Sequence, residues 1–453
     1  MEQVNKFKYL QFIPFKEIRQ WDVKRYGINS FHFTNSISLK KILTPYSKPV
    51  SKKEMEENCW SIISKINFAG ILFLRDISET SSYKGNLNKI DGDTLIYSKI
   101  NVRHGCIYYH DKDAVPFGVS SEYPAFKIDT NKISGDYLVY VIQSQYFKDL
   151  LNGITSGIAK ARVKPNEFLD ITIPLPSLAE QRALVAEYNA KMTQAIKLEE
   201  QVLASETDIK TYVLETLGIN IGKQNVSSQS KYVFLKIVGY KNIEEWGFDK
   251  IFNKNKINSQ KYKTTKIKEL CNVGSGGTPS RSQQQYYKGN IPWIKTGEVL
   301  DDVILDTEEH ITQEAINNSS AKIYPQGSLI IAMYGQGNTR GRTARLGVDA
   351  TTNQACAVLF DIDNNIVITD YLWYYLQVQY DNLRSMASGN NQPNLNADKI
   401  KNYNVVIPPI PIQREIVEYI NVQKEQIKKY KLQAEQLRTQ ALMNFENQIF
   451  NKK

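Results

Sequence analysis

The feature that most constrains this chain is an internal repeat with a period of roughly 230 residues. FKEIRQWD at residues 15–22 is echoed by YKNIEEWG at residues 240–247, and IPLPSLAEQR at 173–182 is echoed by IPPIPIQR at 407–414. Two further echoes lie between them in the same order: Asp136-Tyr137-Leu138 with Asp370-Tyr371-Leu372, and Ser156-Gly157 with Ser388-Gly389. A period this long predicts two copies of one domain, each followed by a trailing element.

Each copy ends with prolines and then a long helical pattern. Residues 178–217 contain no proline or glycine, and their apolar residues recur mostly at steps of three and four, which indicates a helix with an apolar seam. The pattern after residue 412 keeps a 3.5-residue period, which is typical of a coiled coil. The predicted seam residues are Val185, Met192, Val202 and Ile209 in the first helix, and Ile420, Ile427, Tyr430 and Leu437 in the second.

Each helix would be on the order of 60 Å long, which is too long for one compact domain to cover. We therefore predict an α+β protein with two similar mixed α/β domains, joined by a long antiparallel two-helix coiled-coil spacer in a pseudo-two-fold repeat. The expected segments are residues 1–175 (first domain), 176–221 (first helix), 222–411 (second domain) and 412–453 (second helix). The alternative is two separate solvated surface helices.

The most conspicuous stretch of the second copy is GSGGTPSRSQQQYYKGNIPWIK, residues 274–295. Its small residues predict a tight turn with positive φ at Gly276 and Gly277. Basic residues interleaved with aromatics, such as Arg281 and Tyr286, suit a nucleic-acid surface. The alternative places these tyrosines and Trp293 half-buried in strands.

A second candidate site is the loop YGQGNTRGR at residues 334–342. Arginine can bond guanine through two hydrogen bonds and Gln or Asn can bond adenine, so these residue types suit base reading in a major groove. In the first copy the corresponding stretch carries Lys99, Asn101 and Arg103, which we expect to alternate along a strand-like run and share one face. The alternative is a pair of solvated hairpin tips with surface arginines.

Composition narrows the class of protein. With 42% hydrophobic and 23% charged residues the chain has enough apolar surface to fold, and its net charge of +10 suggests a polyanionic partner. Residues 1–175 carry 24 basic and 18 acidic groups, and residues 222–411 carry 21 and 17. The scattered cysteines, the lack of an apolar run of about 18 residues and the N-terminal sequence predict a cytoplasmic protein with no membrane segment.

Motifs for catalysis are missing from the sequence. We find no N-P-P-Y-like tetrapeptide for adenine methylation, and the nearest phosphate-binding loop, residues 218–224, has the wrong spacing and Gln in place of Ser or Thr. His104, Cys106 and His110 could give three zinc ligands, but no fourth is evident. We therefore predict a protein that is not an enzyme and binds no metal or cofactor itself.

Several stretches together resemble the DNA-specificity subunits of type I restriction-modification systems. They are SGGTPS through IPWIK, YGQGNTRGR leading to Asn353-Gln354, YSKINVRHG, SSEYPAF, and the two proline junctions before the helices. The resemblance covers nearly the whole chain, although the first half has no SGGTPS turn, so the two domains should belong to different subtypes. The candidate DNA-binding residues are Lys99, Asn101, Arg103, Lys160, Arg162, Arg281, Tyr286, Tyr334, Gln336, Asn338, Arg340, Arg342, Asn353 and Gln354.

The resemblance implies two target-recognition domains that each read half of a split sequence in double-stranded DNA. The spacer would dock two methyltransferase subunits and, through them, ATP-driven restriction endonuclease subunits. S-adenosylmethionine and ATP with magnesium would then be bound by the partner subunits. The competing hypotheses are a self-contained DNA nuclease or methyltransferase with a degenerate active site, and a structural protein that assembles through its coils.

Overall fold

The computed structural model describes residues 35–79, 82–154, 162–219, 259–335, 337–386 and 395–450. The echo between residues 15–22 and 240–247, and the Ser-Gly echo, lie outside the described residues. The chain divides into two units, which we call unit 1 (residues 1–199 with 432–453) and unit 2 (residues 200–431).

Unit 1 is built on a four-stranded antiparallel sheet with the strand order β2-β10-β7-β8. A three-stranded sheet (β3-β6-β9) and two strand pairs (β4-β5 and β1-β11) accompany it. The strands are β1 Ser36–Ser38, β2 Leu43–Tyr46, β3 Pro49–Val50, β4 Ile63–Ile66, β5 Leu72–Leu74, β6 Leu87–Ile90, β7 Thr94–Tyr97, β8 Ile107–His110, β9 Phe117–Val119, β10 Ala125–Ile128 and β11 Thr172–Pro174.

Four helices of unit 1 pack in the same core as the four-stranded sheet, whereas helix α1, Lys52–Glu57, packs against the three-stranded sheet. The four are α2 Gly135–Gln143, α3 Gln145–Ile154, α4 Pro165–Leu169 and the first part of α5 Leu178–Thr216. All four residues of β7 are buried, and Leu95 packs in one core with Phe126 of β10 and Tyr137 of α2. β-Branched and aromatic residues in such short runs favour strands because they fill the space between a sheet and its covering helices.

Unit 2 repeats the strand order of the main sheet and adds one edge strand to it. Its main sheet has the order β13-β20-β17-β18-β15, beside a three-stranded sheet β16-β14-β19 and the pair β12-β21. The strands are β12 Thr264–Lys266, β13 Asn272–Ser275, β14 Ile291–Ile294, β15 Val303–Ile304, β16 His310–Ile311, β17 Leu329–Ala332, β18 Thr343–Leu346, β19 Thr351–Thr352, β20 Cys356–Phe360 and β21 Asn404–Val406.

The helices of unit 2 are α6 Gln313–Asn317, α7 Thr369–Val378, α8 Tyr380–Ser385, α9 Ala397–Lys401 and the first part of α10 Ile410–Phe450. The apolar pattern of the sequence predicts one helix over residues 137–151 and one over 371–387, but the structure has two helices in each of these stretches. Ser144 has extended backbone angles and ends α2, while Gln379, with ψ near 14°, separates α7 from α8.

A buried glutamine holds the start of each long helix in the same way. The side-chain oxygen of Gln181 accepts from the Ser134 amide at 2.8 Å, and its nitrogen donates to the carbonyls of Lys132 and Pro176 at 3.1 and 2.9 Å. Gln413 forms the matching bonds, with the amide of Ile368 and the carbonyls of Ile366 and Pro408. Both side chains are fully buried, so these bonds satisfy backbone groups that water cannot reach.

The long helices contact one another within each unit, and the residue numbers run in opposite directions. In unit 1, Glu199 of α5 pairs with Arg438 of α10 at 2.9 Å, and Glu187 accepts from Asn444 and Gln448. In unit 2, the Tyr212 ring stacks on Tyr419 at 3.9 Å between centroids. Of the predicted seam residues, Val202, Ile420 and Ile427 are buried, and the half-buried ones are Val185, Met192, Ile209, Tyr430 and Leu437.

The four cysteines are free thiols: Cys59 is exposed, whereas Cys106, Cys271 and Cys356 are buried. Within the described ranges, no helix is both long enough and apolar enough to span a lipid bilayer.

Candidate nucleic-acid interface

In unit 1 the predicted base-reading residues lie on the connection between β7 and β8. The expectation that Lys99, Asn101 and Arg103 alternate along a strand is wrong, because β7 ends at Tyr97 and residues Val102–His104 form a 3-10 helix. The amides of Asn101 and Val102 both donate to the Ser98 carbonyl, which closes a turn. The three side chains therefore project from a compact turn and not from one face of a strand.

Other chain segments pack against this turn through backbone hydrogen bonds. The amide of Lys99 donates to the carbonyl of Glu122 at 3.2 Å, and the Lys99 carbonyl accepts from Val163 at 2.9 Å. Arg162 forms an ion pair with the Glu122 carboxylate at 3.2 Å. The structure thus brings Arg162 to the same place as Lys99, while Lys160 lies outside the described residues.

The hairpin between β4 and β5 places an aromatic side chain next to this turn, and the sequence analysis did not predict it as a site residue. Phe68 is 66% exposed, and its ring lies 5.4 Å from the exposed His104 ring. Its carbonyl abuts Gly105, where φ is +96° and an added Cβ would meet that oxygen. The only signal in the sequence was the apolar run around Phe68, and nothing in that run places it beside residue 104.

In unit 2 the turn after β13 packs against the segment after β19. The expectation of positive φ at Gly276 and Gly277 is wrong, because neither has a left-handed backbone. Glycine is required there by close packing, since an added Cβ at Gly276 would clash with Thr352 and one at Gly277 with Ser320. The Gly277 amide donates to the Thr352 carbonyl, and the Trp293 ring nitrogen donates to the Gly277 carbonyl, each at 2.9 Å.

Arg281 follows this turn and is held between two aromatic rings. Its guanidinium lies 4.1 Å from the Tyr287 ring centroid and 4.9 Å from that of Trp293, and it donates to both carboxylate oxygens of Glu309 at 2.5 and 3.3 Å. These hydrogen bonds lower the pKa of Glu309. Tyr286 is half-buried against the Trp293 cluster. Arg281 therefore meets any ligand as one member of an ion pair.

The predicted reading loop of unit 2 forms the tip of the hairpin between β17 and β18. Gly335, Gly337 and Gly341 have φ of 144°, 61° and 88°, a backbone that other residues rarely adopt. Tyr334 is 37% exposed, Asn338 is exposed and Arg340 is half-buried. Arg342 lies 3.9 Å from the Asp301 carboxylate, while Gln336 is outside the described residues.

Asn353 and Gln354 lie in the short connection between β19 and β20, next to the turn at 276–280 and the base of the hairpin between β17 and β18. The Asn353 side-chain oxygen accepts from the Ala355 amide at 3.1 Å, and Gln354 accepts from the Thr278 hydroxyl. The Met333 amide at the base of the hairpin donates to the Ala355 carbonyl. Hydrogen bonds thus join the turn at 276–280, the segment at 352–355 and the base of the hairpin.

Among the described residues, no group of three or more His, Cys, Asp or Glu side chains is placed to hold a metal ion. Cys106 and His110 are both buried, whereas His104 is exposed. Burial raises the pKa of Cys106 to about 11 and lowers the pKa of His110. The two hairpin tips lie on the same strand-to-strand connection of the repeated sheet, and both carry cationic and amide side chains. Such side chains can bind the phosphate backbone and the base edges of a nucleic acid.

Known proteins similar to this chain point to one family. A family model for the type I restriction modification DNA specificity domain matches residues 259–436. The chain is 27% identical over 187 residues to the type I restriction enzyme MjaIX specificity subunit of Methanocaldococcus jannaschii, covering 40% of this chain and 42% of that protein. These matches support a resemblance to the type I restriction-modification specificity subunits, and the family model itself covers the second half of the chain.

A second curated relative and a solved structure are also similar to the chain. The chain is 26% identical over 161 residues to the Escherichia coli EcoR124I/EcoR124II specificity subunit, covering 34% of this chain and 39% of that protein. These two matches thus span about two fifths of each curated relative. A solved structure described as the basis of complex assembly and conformational transition of the type I R-M system shares the fold, with a TM-score of 0.56, 16% identity and coverage of 92% of this chain and 96% of that one.

Proposed function

We propose that this chain is a type I restriction-modification specificity subunit, which reads a bipartite double-stranded DNA sequence and is not itself catalytic. The observation that carries the proposal is the repeated sheet, which presents basic and amide side chains on the same connection in both units: residues 98–106 in unit 1 and 333–342 in unit 2. Lysines would contact phosphates and set the register, while side chains of the two tips select bases. The printed names of both curated relatives, which call them specificity subunits, support this assignment.

The two long helices would form the antiparallel spacer that sets the distance between the half-sites. The opposed order of the contacts supports this: Glu199 with Arg438 in unit 1, and Glu206 with Lys431 in unit 2. On this proposal residues 1–175 and 222–411 are the target-recognition domains, and residues 176–221 and 412–453 are the spacer helices. The spacer would also dock two adenine-methyltransferase subunits and, through them, endonuclease subunits, in the cytoplasm.

Chemistry would then belong to the partners, which bind S-adenosylmethionine, ATP and magnesium. The absence of catalytic motifs in the sequence supports the assignment of catalysis to the partner subunits. The competing function, a self-contained nuclease or methyltransferase, predicts turnover by the isolated chain. Incubating the purified chain with DNA, magnesium and a methyl donor should give neither strand cleavage nor methylation. Turnover by the isolated chain would refute the proposal that it only reads the DNA sequence.

DNA binding itself is tested with the chain assembled with its methyltransferase partners. For a pool of random DNA, log Kd should rise linearly with the logarithm of the salt concentration, because Lys and Arg release counterions from the phosphates they contact. Repeated selection from the pool should enrich a split sequence. Absent or salt-independent binding would favour the third alternative, a structural protein that assembles through its coils.

A further inference from the structure

The reading loop of unit 2 is held by its backbone from helix α8. Arg384 donates from one guanidinium nitrogen to the Gly337 carbonyl and to the Tyr380 hydroxyl, each at 2.7 Å. The Tyr380 hydroxyl in turn donates to the Asn338 carbonyl at 2.8 Å. These bonds fix main-chain atoms, so they position the loop whatever side chains it carries.

Gly341 shows how closely this clamp fits. A Cβ at this position would lie 3.1 Å from the Arg384 side chain, and its φ of +88° already favours glycine. A loop with three left-handed glycines has little rigidity of its own, because glycine leaves the backbone the most conformations. Its placement therefore depends on the groups that bind its carbonyls.

Helix α8 is itself tied to the long helix α5. Asp381, the residue next to Tyr380, accepts from the Lys210 ammonium at 2.9 Å. Lys210 belongs to the part of α5 that lies in unit 2. A continuous set of contacts thus runs from α5 through α8 to the tip of the hairpin.

A second set of contacts runs from the long helix α10 to the other end of the loop. Lys424 of α10 donates to the side-chain oxygen of Gln377 at 2.8 Å, and Gln377 donates to the Asp301 carbonyl at 3.4 Å. The Asp301 carboxylate accepts from the Thr343 amide and hydroxyl at 2.9 and 3.1 Å, where the loop enters β18. Lys424 is further fixed over the rings of Trp373 and Tyr374, at 5.2 and 4.5 Å.

Both sets of contacts border one cleft in unit 2. Its volume is about 1060 Å³, and its lining includes Lys210, Asp381, Gln377 and Lys424 together with Asn338 and Arg342 of the loop. The loop is thus attached to each long helix on either side of an open space. Displacement of the loop at 337–342 would break at least one of the two sets of contacts.

We propose that Arg384, Tyr380 and Asp301 are positioning residues that determine the base preference of unit 2 without touching DNA. This inference rests on the proposed function, because it assumes that the loop at 337–342 reads bases. Base reading requires side chains to be held to within about 0.5 Å of the productive geometry, which a glycine-rich tip reaches only when its backbone is anchored. The two sets of contacts supply that anchor from α5 and α10.

The test uses the complex of the full chain with its methyltransferase partners and a pool of random DNA. Arg384→Ala should lower discrimination roughly tenfold at the bases read by unit 2, because a mispositioned bidentate contact loses most of its selectivity. The slope of log Kd against log salt on random DNA should stay unchanged, since no phosphate contact is lost. Arg384→Lys, which keeps a positively charged donor group at this position, should recover part of the discrimination.

Two results would overturn the inference. One is unchanged discrimination in Arg384→Ala; the other is a uniform loss of affinity with the salt slope reduced by about one, which would mean that Arg384 binds a phosphate. Tyr380→Phe provides the second variant in case Arg384→Ala does not fold. It keeps the ring and removes only the hydroxyl, so discrimination at the same bases should fall, and an unchanged preference there would also contradict the inference.

Arg75→Ala is the matched control from unit 1. Arg75 lies 5.6 Å from the ring centroid of a tyrosine, Tyr83, as Arg384 lies 5.4 Å from that of Tyr380, and it forms an ion pair with Glu79 at 3.8 Å. Its removal should leave the preference of the unit 2 half-site unchanged. The wild-type complex separates the two levels of failure: no split target in wild type refutes the proposed function, whereas a split target that Arg384→Ala leaves intact refutes only the positioning role.

Discussion

Units 1 and 2 share their buried framework and differ at their hairpin tips. Both have the same order in the main sheet and the same triple hydrogen bonding by a fully buried glutamine, Gln181 or Gln413. The tip of unit 1 is a 3-10 turn next to the exposed rings of Phe68 and His104, whereas that of unit 2 is a glycine-rich loop clamped by Arg384. A framework fixed by buried contacts leaves the tips free to differ, so the two half-sites should differ as well.

The largest expected effect comes from exchanging one domain. Replacing residues 1–175 with the corresponding domain of another specificity subunit should change one half-site completely and leave the other half-site intact. Selection from a random DNA pool by the assembled complex measures both half-sites in one experiment. Simultaneous change of both halves would contradict independent reading by the two units.

The shared framework predicts equal stability losses in the two units. Gln181→Ala and Gln413→Ala should each destabilise the protein by about 2–4 kcal/mol, because each leaves one backbone amide and two carbonyls without their buried partner. Urea denaturation measures the loss, with Gln194→Ala on the exposed surface of α5 as the control. A loss in one unit only would show that the two junctions are not equivalent.

Single arginines at the tips should have a smaller and local effect. Arg340→Ala should reduce the discrimination between bases at one position of the unit 2 half-site by ~1–3 kcal/mol. Arg103→Ala should have the same effect at one position of the unit 1 half-site. Mapping of methylated sites in cells carrying these variants and the partner subunits measures the change. Unchanged target sequences for both variants would remove these two residues from the reading set.

The smallest expected effect is a pH dependence confined to unit 1. His110 is 2% exposed in β8, and burial lowers its pKa, with Lys127 acting in the same direction and Asp91 and Asp111 opposing it. The unfolded chain therefore binds a proton more readily, so stability is full above about pH 6.5 and falls as the pH drops below it.

Urea titrations between pH 5 and 7 test this dependence. His110→Phe should lose that part of the pH dependence, and its ring can pack against Phe117, whose centroid lies 5.0 Å from the imidazole. His104→Gln, at an exposed site, should retain the dependence. Equal pH profiles for wild type and His110→Phe would exclude His110 as the source.

The repeat and the long helices could be read from the sequence because they depend on local rules. Prolines before Leu178 and Ile410 stop the preceding strands, and an apolar period continues through each helix. The breaks at Ser144 and Gln379 were not predictable, since the apolar pattern continues across them and tertiary packing sets the break. The positions of Lys99 and Arg103 were misplaced because alternation predicts a strand even where a turn closes on Ser98.

The candidate site was predictable in its residue types and not in its contacts. The arginines and amides of the hairpin tips stood out by composition, but the pairing of Arg281 with Glu309 joins residues 28 positions apart. The clamp of Arg384 on Gly337 spans 47 positions. No local pattern encodes such contacts, which arise only when the sheet brings distant segments together.

The most direct measurement is sequencing of modified bases in cells that carry this chain with the methyltransferase subunits proposed as its partners. We expect methylated adenines within a split target, with two unlike half-sites separated by a gap of fixed length. A continuous motif, two identical halves or an unmodified genome would contradict a reader built from two different units.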